Sequence, residues 1–172
     1  MLVYLTGYMG SGKTFTGKEL AKRLDYTFLD MDAMIERVTK KTIAQLFGEG
    51  VSGFRETERS VLEETFSKKN CVIATGGGTP CFFDNMERMN AAGITVFLDA
   101  DAGTLYARLS KEKETRPLIS GMPDVDLMER ILLHLGERRH YYGRAKIRLK
   151  VHKSEEENTA EKILQLLKNQ ER

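Results

Sequence analysis

GYMGSGKT, residues 7–14, fits the pattern G-x-x-x-x-G-K-[ST] and sits between an apolar run, LVYL at 2–5, and a helical stretch from about Lys13 to Leu24. That is the setting a phosphate loop needs: a buried strand delivers the chain, and a helix opens directly behind it. Gly7, Gly10 and Gly12 let the backbone bend so that successive N–H groups face phosphate oxygens, and the helix N-terminus adds the positive end of its dipole. Lys13 is placed to reach the β- and γ-phosphates, and Thr14 to set its hydroxyl on a magnesium ion. The stretch implies a nucleoside triphosphate site with Gly10, Ser11, Gly12, Lys13 and Thr14 as its binding residues.

Outward from the loop, strand and helix signals alternate. TFLD (27–30), CVIAT (71–75), ITVFLD (94–99) and IRLKV (147–151) are short apolar runs of strand length. DAMIERV, TIAQLF, GFRETERSVLEETFSKK (53–69) and the C-terminal ENTAEKILQLLKN carry helical periodicity. This alternation predicts an α/β fold with a five-stranded parallel sheet and helices on both faces. SKEKETRPLISGMPD (110–124) breaks the rhythm. It is polar, holds two of the three prolines, joins two helices and reads as a mobile lid. No linker or repeat divides the chain, so residues 1–172 are expected to form a single domain with this lid inserted.

The bulk numbers narrow the partners. The 172 residues are 41% hydrophobic and 30% charged, and 27 basic against 25 acidic side chains leave a formal charge of +2. That balance gives no electrostatic argument for nucleic acid or membrane binding. Cys71 and Cys81 have no metal-ligand spacing and read as free thiols of a reducing compartment. The N-terminal apolar run stops at Gly7, too short for a signal peptide or a membrane span. The expectation is a cytoplasmic monomer.

A phosphate loop serves several classes. The [NT]KxD string of a guanine site is absent, and a motor or helicase domain is longer, which leaves a small-molecule kinase with a lid. Here the chain resembles the shikimate kinase family over nearly its whole length. The resemblance rests on motifs in order: GYMGSGKT, DMD at 30–32, FRETE at 54–58, GGG at 76–78, RPL at 116–118, and an arginine four residues before a tyrosine in RRHYY. It implies a three-layer P-loop kinase sandwich and an ATP- and magnesium-dependent transfer of phosphate to the 3-hydroxyl of shikimate. ATP would be co-substrate, Mg2+ the cofactor, and shikimate and ATP the partners.

The resemblance also implies roles for residues. Asp30 would help hold magnesium with Thr14, and Asp32 would bind the acceptor hydroxyls and act in catalysis with Lys13 and Arg116. Residues i and i+2 of an extended segment project to one side, which agrees with the pairing; the alternative for Asp32 is a helix cap. Arg55 and Arg138 would grip the acceptor carboxylate, since guanidinium forms two parallel hydrogen bonds to it. Arg139 is a neighbouring alternative to Arg138. Gly76, Gly77 and Gly78 would line the acceptor site, with no Cβ to hold the ring away. Arg116 would bring charge to the γ-phosphate as the lid closes, on a segment stiffened by Pro117, and Arg108 would lie near the adenine. The second FLDxD string offers Asp99 as a rival magnesium ligand, while Asp101 reads as the cap of the helix that follows.

Two departures stand out. His140-Tyr141 replace the Pro-Leu usual in the family, and the segment between Phe47 and Phe54 is one residue short. The three histidines read as structural or solvated. The remaining alternatives are another small kinase, such as a gluconate kinase, and a nucleotide-binding regulatory domain that has lost catalysis.

Overall fold

The computed structural model describes every residue except 117, 153–155 and 171–172, with backbone only at 115, 156, 157 and 170. The strands are β1 (Leu2–Thr6), β2 (Thr27–Asp30), β3 (Cys71–Ala74), β4 (Ile94–Ala100) and β5 (Ile147–Val151). They form one parallel sheet in the order β2-β3-β1-β4-β5. The helices are α1 (Lys13–Leu24), α2 (Met31–Thr39), α3 (Ile43–Glu49), α4 (Val51–Thr65), α5 (Asn85–Ala92), α6 (Ala102–Glu112), α7 (Asp124–Tyr142) and α8 (Glu156–Gln170).

Side chains alternate across a strand, so β1 splits its apolar residues between two cores. Val3 and Leu5 point into the larger one, with Val72, Val96 and Leu98 of the neighbouring strands and Leu20, Leu105, Ile131 and Ile163 from α1, α6, α7 and α8. Leu2 and Tyr4 point into the other, with Ile73, Met31, Leu62, Met86 and Met89. Burial on both faces is why these strands read as unbroken apolar runs. A third, smaller cluster joins α2, α3 and α4 through Ile35, Leu46, Phe54 and Val61.

The order of the strands matters for function. From β1 the chain passes to the edge strand β2, returns through β3 and then crosses β1 to β4 and β5, so β1 lies between β3 and β4 where the winding changes direction, and a crevice opens at its carboxyl end. The phosphate loop leaves the sheet there. Gly7 has φ 137°, and a Cβ on it would meet the Leu98 carbonyl oxygen at 2.8 Å, so the turn out of β1 admits only glycine.

The described residues of the segment expected to form a lid make contacts of their own. Residues 113–115 form a turn of 3₁₀ helix, Lys113 Nζ donates to the Met122 carbonyl at 2.8 Å and to Asp124 Oδ1 at 2.5 Å, and Ile119 is 1% exposed within the larger core. Pro117 lies outside the described residues. Helix α5 carried no clear signal in the sequence, being only eight residues long. Among the described residues, no helix is long and apolar enough to cross a membrane.

Candidate active site

Two cavities open at the carboxyl ends of the strands. The first, about 700 Å³, is lined by Gly10, Gly12, Lys13, Thr14, Asp30 and Arg108, among others. The second, about 490 Å³, lies between α2, α3, α4 and α7 and is lined by Arg55, Glu58, Gly76, Gly78 and Arg138, among others. Met9, Asp32, Gly77 and Arg116 line both. The cavities are therefore adjoining compartments of one site, and Asp32 and Arg116 stand where they meet.

The first compartment has the chemistry of a polyphosphate site. Gly12, at φ 94°, occupies the N-cap position of α1, and no side chain caps the helix, so its first-turn N–H groups face the cavity. Lys13 Nζ donates to the carbonyls of Gly7 and Tyr8 at 2.8 and 2.9 Å, which holds the amine over the loop. Burial pushes its pKa down to about 8, against the pull of Asp32. Arg108 Nη1 donates to the Gly10 carbonyl at 3.0 Å, so this arginine braces the loop from α6. Ser11 departs from expectation. It is 1% exposed, its hydroxyl is buried, and its N–H is turned onto the Tyr8 carbonyl at 3.1 Å.

Thr14 and Asp30 are joined, Thr14 Oγ1 donating to Asp30 Oδ2 at 2.9 Å. The hydroxyl proton is thereby held by the aspartate, and the oxygen lone pairs are left for a cation in the first compartment. Asp30 Oδ1 accepts from the N–H groups of Asp32 and Ala33 at 3.1 and 3.4 Å. Asp30, not Asp32, is thus the N-cap of α2. The expectation of two aspartates alternating along a strand is corrected here: β2 ends at Asp30, and Asp32 belongs to the first helical turn. The helix start turns both carboxylates toward the cavities. Asp32 stays accessible to cavity solvent, yet its confined surroundings, followed by the Asp30 charge, push its pKa up to about 6, with Lys13 opposing.

The rival string resolves differently. Asp99 is 5% exposed, and both its oxygens are taken: Oδ1 by Arg139 at 2.9 Å and Oδ2 by Arg148 at 2.6 Å. Burial opposes ionisation, but the two guanidinium hydrogen bonds outweigh it and hold the carboxyl below its ordinary value. Arg139 is engaged in this pair, while Arg138 lines the second compartment. Asp101 caps α6 by accepting from the Thr104 N–H at 2.7 Å.

In the second compartment Arg55 is 8% exposed, and its Nη1 donates to Glu58 Oε2 at 2.7 Å. Glu58, 1% exposed, also accepts from Thr79 Oγ1 at 2.6 Å. The guanidinium lies over Phe82 at 4.1 Å, Phe54 at 5.0 Å and Phe47 at 5.4 Å. Helix spacing brings Glu58 onto Arg55, and packing of α4 against the turn after β3 brings up the glycines. Here the role expected of Gly78 changes: a Cβ on it would lie 2.5 Å from Arg55 Nη2, so its bareness makes room for the arginine. Gly77 is fixed from α7, whose Tyr142 hydroxyl donates to its carbonyl at 2.5 Å while the ring stacks on Phe97. The His140-Tyr141 departure leaves this anchor intact, since α7 runs unbroken to Tyr142.

Arg116 borders both compartments, its Nε and Nη2 on the Glu112 carboxylate at 2.6 Å. Four arginines (55, 116, 130 and 138) face Asp32, Glu36 and Glu58 across the second compartment, an excess that favours an anionic ligand. Arg130 and His134 were not anticipated. Their signal is the four-residue spacing to Arg138 along one helix.

A protein-family model for shikimate kinase matches residues 9–168. A curated shikimate kinase of Bacteroides fragilis is 44% identical over 167 residues, covering 96% of this chain and 93% of that protein. One of Phocaeicola vulgatus is 48% identical over 145 residues, 84% and 83% of the two chains. Among solved structures, the shikimate kinase of Bacteroides thetaiotaomicron superposes with a TM-score of 0.92 at 41% identity, covering 98% of each chain. That of Acinetobacter baumannii, solved in complex with shikimate, gives 0.88 at 35% identity, covering 98% of this chain and 93% of the other.

Proposed function

The chain belongs to the shikimate kinase family, and on that premise we propose that it transfers the γ-phosphate of ATP to the 3-hydroxyl of shikimate, giving shikimate 3-phosphate and ADP on the way to chorismate and the aromatic amino acids. The observation that carries this reading is the pair of compartments sharing Asp32, Gly77 and Arg116. One has the chemistry of a triphosphate site, the other gathers four arginines around a buried Arg55, and a phosphoryl group moving between them passes Asp32.

ATP lies with its phosphates against the first-turn N–H groups of α1, Lys13 supplying charge at the β- and γ-phosphates. Magnesium fits the Thr14–Asp30 pair, since two hard oxygen donors suit an ion that completes its shell with water and phosphate oxygens. It would neutralise charge on the phosphates. Arg55 and Arg138 hold the acceptor carboxylate through charge-assisted bonds. Asp32 orients the acceptor hydroxyl in line with the γ-phosphate and takes its proton late, because the transition state is loose and positioning outweighs basicity. Arg116, exchanging Glu112 for the γ-phosphate oxygens, stabilises the transferring group as residues 110–124 close over the site and exclude water. Arg108, bracing the loop, borders the nucleotide. The chain works as a single-domain monomer in the cytoplasm.

A coupled ADP-release assay with ATP and magnesium tests the assignment. Shikimate should stimulate release, and gluconate and nucleoside monophosphates should not; stimulation by either of the latter without shikimate overturns it. Arg138→Lys keeps the charge and loses the fork, so the KM for shikimate should rise about tenfold or more at unchanged KM for ATP.

A further inference from the structure

Helix α7 presents Arg130, His134 and Arg138 at intervals of four residues, so the three side chains form one stripe, and all three line the acceptor compartment. Carboxylate recognition uses only the last of them. The other two are tied to the phosphate loop. Tyr8, 2% exposed, has its hydroxyl 2.9 Å from His134 Nδ1. The Arg130 charge also acts on this hydroxyl, and Arg138 lies over the Tyr8 ring at 5.8 Å.

This contact commits one ring nitrogen, since Nδ1 is held by the Tyr8 hydroxyl whichever of the two atoms donates. Nε2 is left for a ligand group that can both donate and accept, as a hydroxyl can. Among the described residues, the one hydrogen bond of this imidazole is that to Tyr8. Burial, then the charges of Arg138 and Arg130, hold His134 below its ordinary pKa, so it stays neutral near pH 7.

Several other polar groups of the compartment are already engaged. Glu58 serves Arg55 and Thr79, Glu36 Oε1 accepts the Ile43 N–H at 2.9 Å, and Thr42 and Gln45 form a reciprocal cap on α3. Shikimate carries three hydroxyls on its ring. Asp32 serves those nearest the transferring phosphate, which leaves the 5-hydroxyl in need of a partner once water is excluded.

We propose that His134 is a specificity-determining contact to the acceptor, its Nε2 hydrogen-bonded to the 5-hydroxyl of shikimate, with Tyr8 as the positioning residue that fixes the imidazole. The inference rests on the shikimate reading and adds to it a second recognition wall opposite Asp32.

Steady-state kinetics on the full chain test it, with shikimate and its 4-deoxy and 5-deoxy analogues as acceptors. His134→Leu should raise the KM for shikimate about three- to tenfold, the worth of one hydrogen bond, with kcat and the KM for ATP within about twofold. On 5-deoxyshikimate the wild type should lose a similar factor, and His134→Leu should then add nothing further. On the 4-deoxy analogue the two losses should multiply. His134→Gln, which retains an N–H donor, should recover most of the loss, and Tyr8→Phe should show a smaller rise. If the losses multiply on both analogues, His134 acts through packing and the proposal fails. An unchanged KM in His134→Leu overturns it as well. Failure of the shikimate reading is separately visible, since the wild-type protein would then be inactive on shikimate before any variant is compared.

Discussion

Replacing Gly78 with alanine tests whether the acceptor site depends on room for a buried guanidinium. The backbone at Gly78, φ −93° and ψ −17°, suits any residue, so alanine brings no conformational penalty of its own. The added Cβ would sit 2.5, 2.7 and 2.8 Å from Arg55 Nη2, Nη1 and Cζ, about 1 Å inside contact distance. An exposed arginine would swing away at little cost. This one is held by Glu58 at 2.7 Å and by aromatic rings on several sides, so moving it loosens a charge-assisted bond and leaves Glu58 partly uncompensated. Losing such a bond costs about 1.5–3 kcal/mol, and a fully broken buried pair about 3–5 kcal/mol. Gly78→Ala should therefore destabilise the protein by about 2–4 kcal/mol, a Tm drop of roughly 5–12 °C for a chain of this size. The KM for shikimate should rise at least about tenfold while the KM for ATP stays put. The decisive control is the double-mutant cycle, read by denaturant unfolding and kinetics. In an Arg55→Ala background the clash is gone, and Gly78→Ala should cost less than about 0.5 kcal/mol. An equal cost in both backgrounds, or a near-silent single variant, refutes the steric argument.

Three further outcomes follow from the geometry. Asp30→Asn keeps an oxygen for capping α2 but removes the charge beside Thr14, so the magnesium concentration for half-maximal rate should rise several-fold with little change in Tm; Asp99→Ala should lower stability, by freeing Arg139 and Arg148, without changing the magnesium requirement. In pH profiles, kcat/KM should fall below about pH 6 as Asp32 takes up a proton and above about pH 8 as Lys13 loses one, and Asp32→Asn should abolish the acid limb. The same Asp32→Asn variant separates two roles: a loss of kcat near tenfold marks orientation of the hydroxyl, and a loss of about 10²–10⁴-fold at unchanged shikimate affinity marks general-base work.

The phosphate loop, the five strands and the cap at Asp101 were readable along the chain because each depends on neighbours within a few residues. Positive φ at Gly12, apolar runs buried on both faces and a carboxylate three residues from an N–H are local properties, and the chain states them locally. The choice between the two FLDxD strings was not local. Asp30 ends β2 and Asp99 stands one residue before the end of β4 in the same sheet, and their roles diverge because β2 runs into a helix whose N–H groups, together with Thr14 of α1, claim Asp30, while α7 and β5 bring two arginines onto Asp99. The same holds for Gly78, whose bareness could be attributed to a ligand until packing placed Arg55 against it. The stripe of Arg130, His134 and Arg138 was present as a spacing, but helical spacing gives only a shared face. Which way that face looks is set by the apolar residues of α7, Leu127, Ile131 and Leu135, seating in the larger core. Burial of that adjoining stripe turns the polar one toward the crevice, and only the assembled sheet supplies the surface on which to bury it.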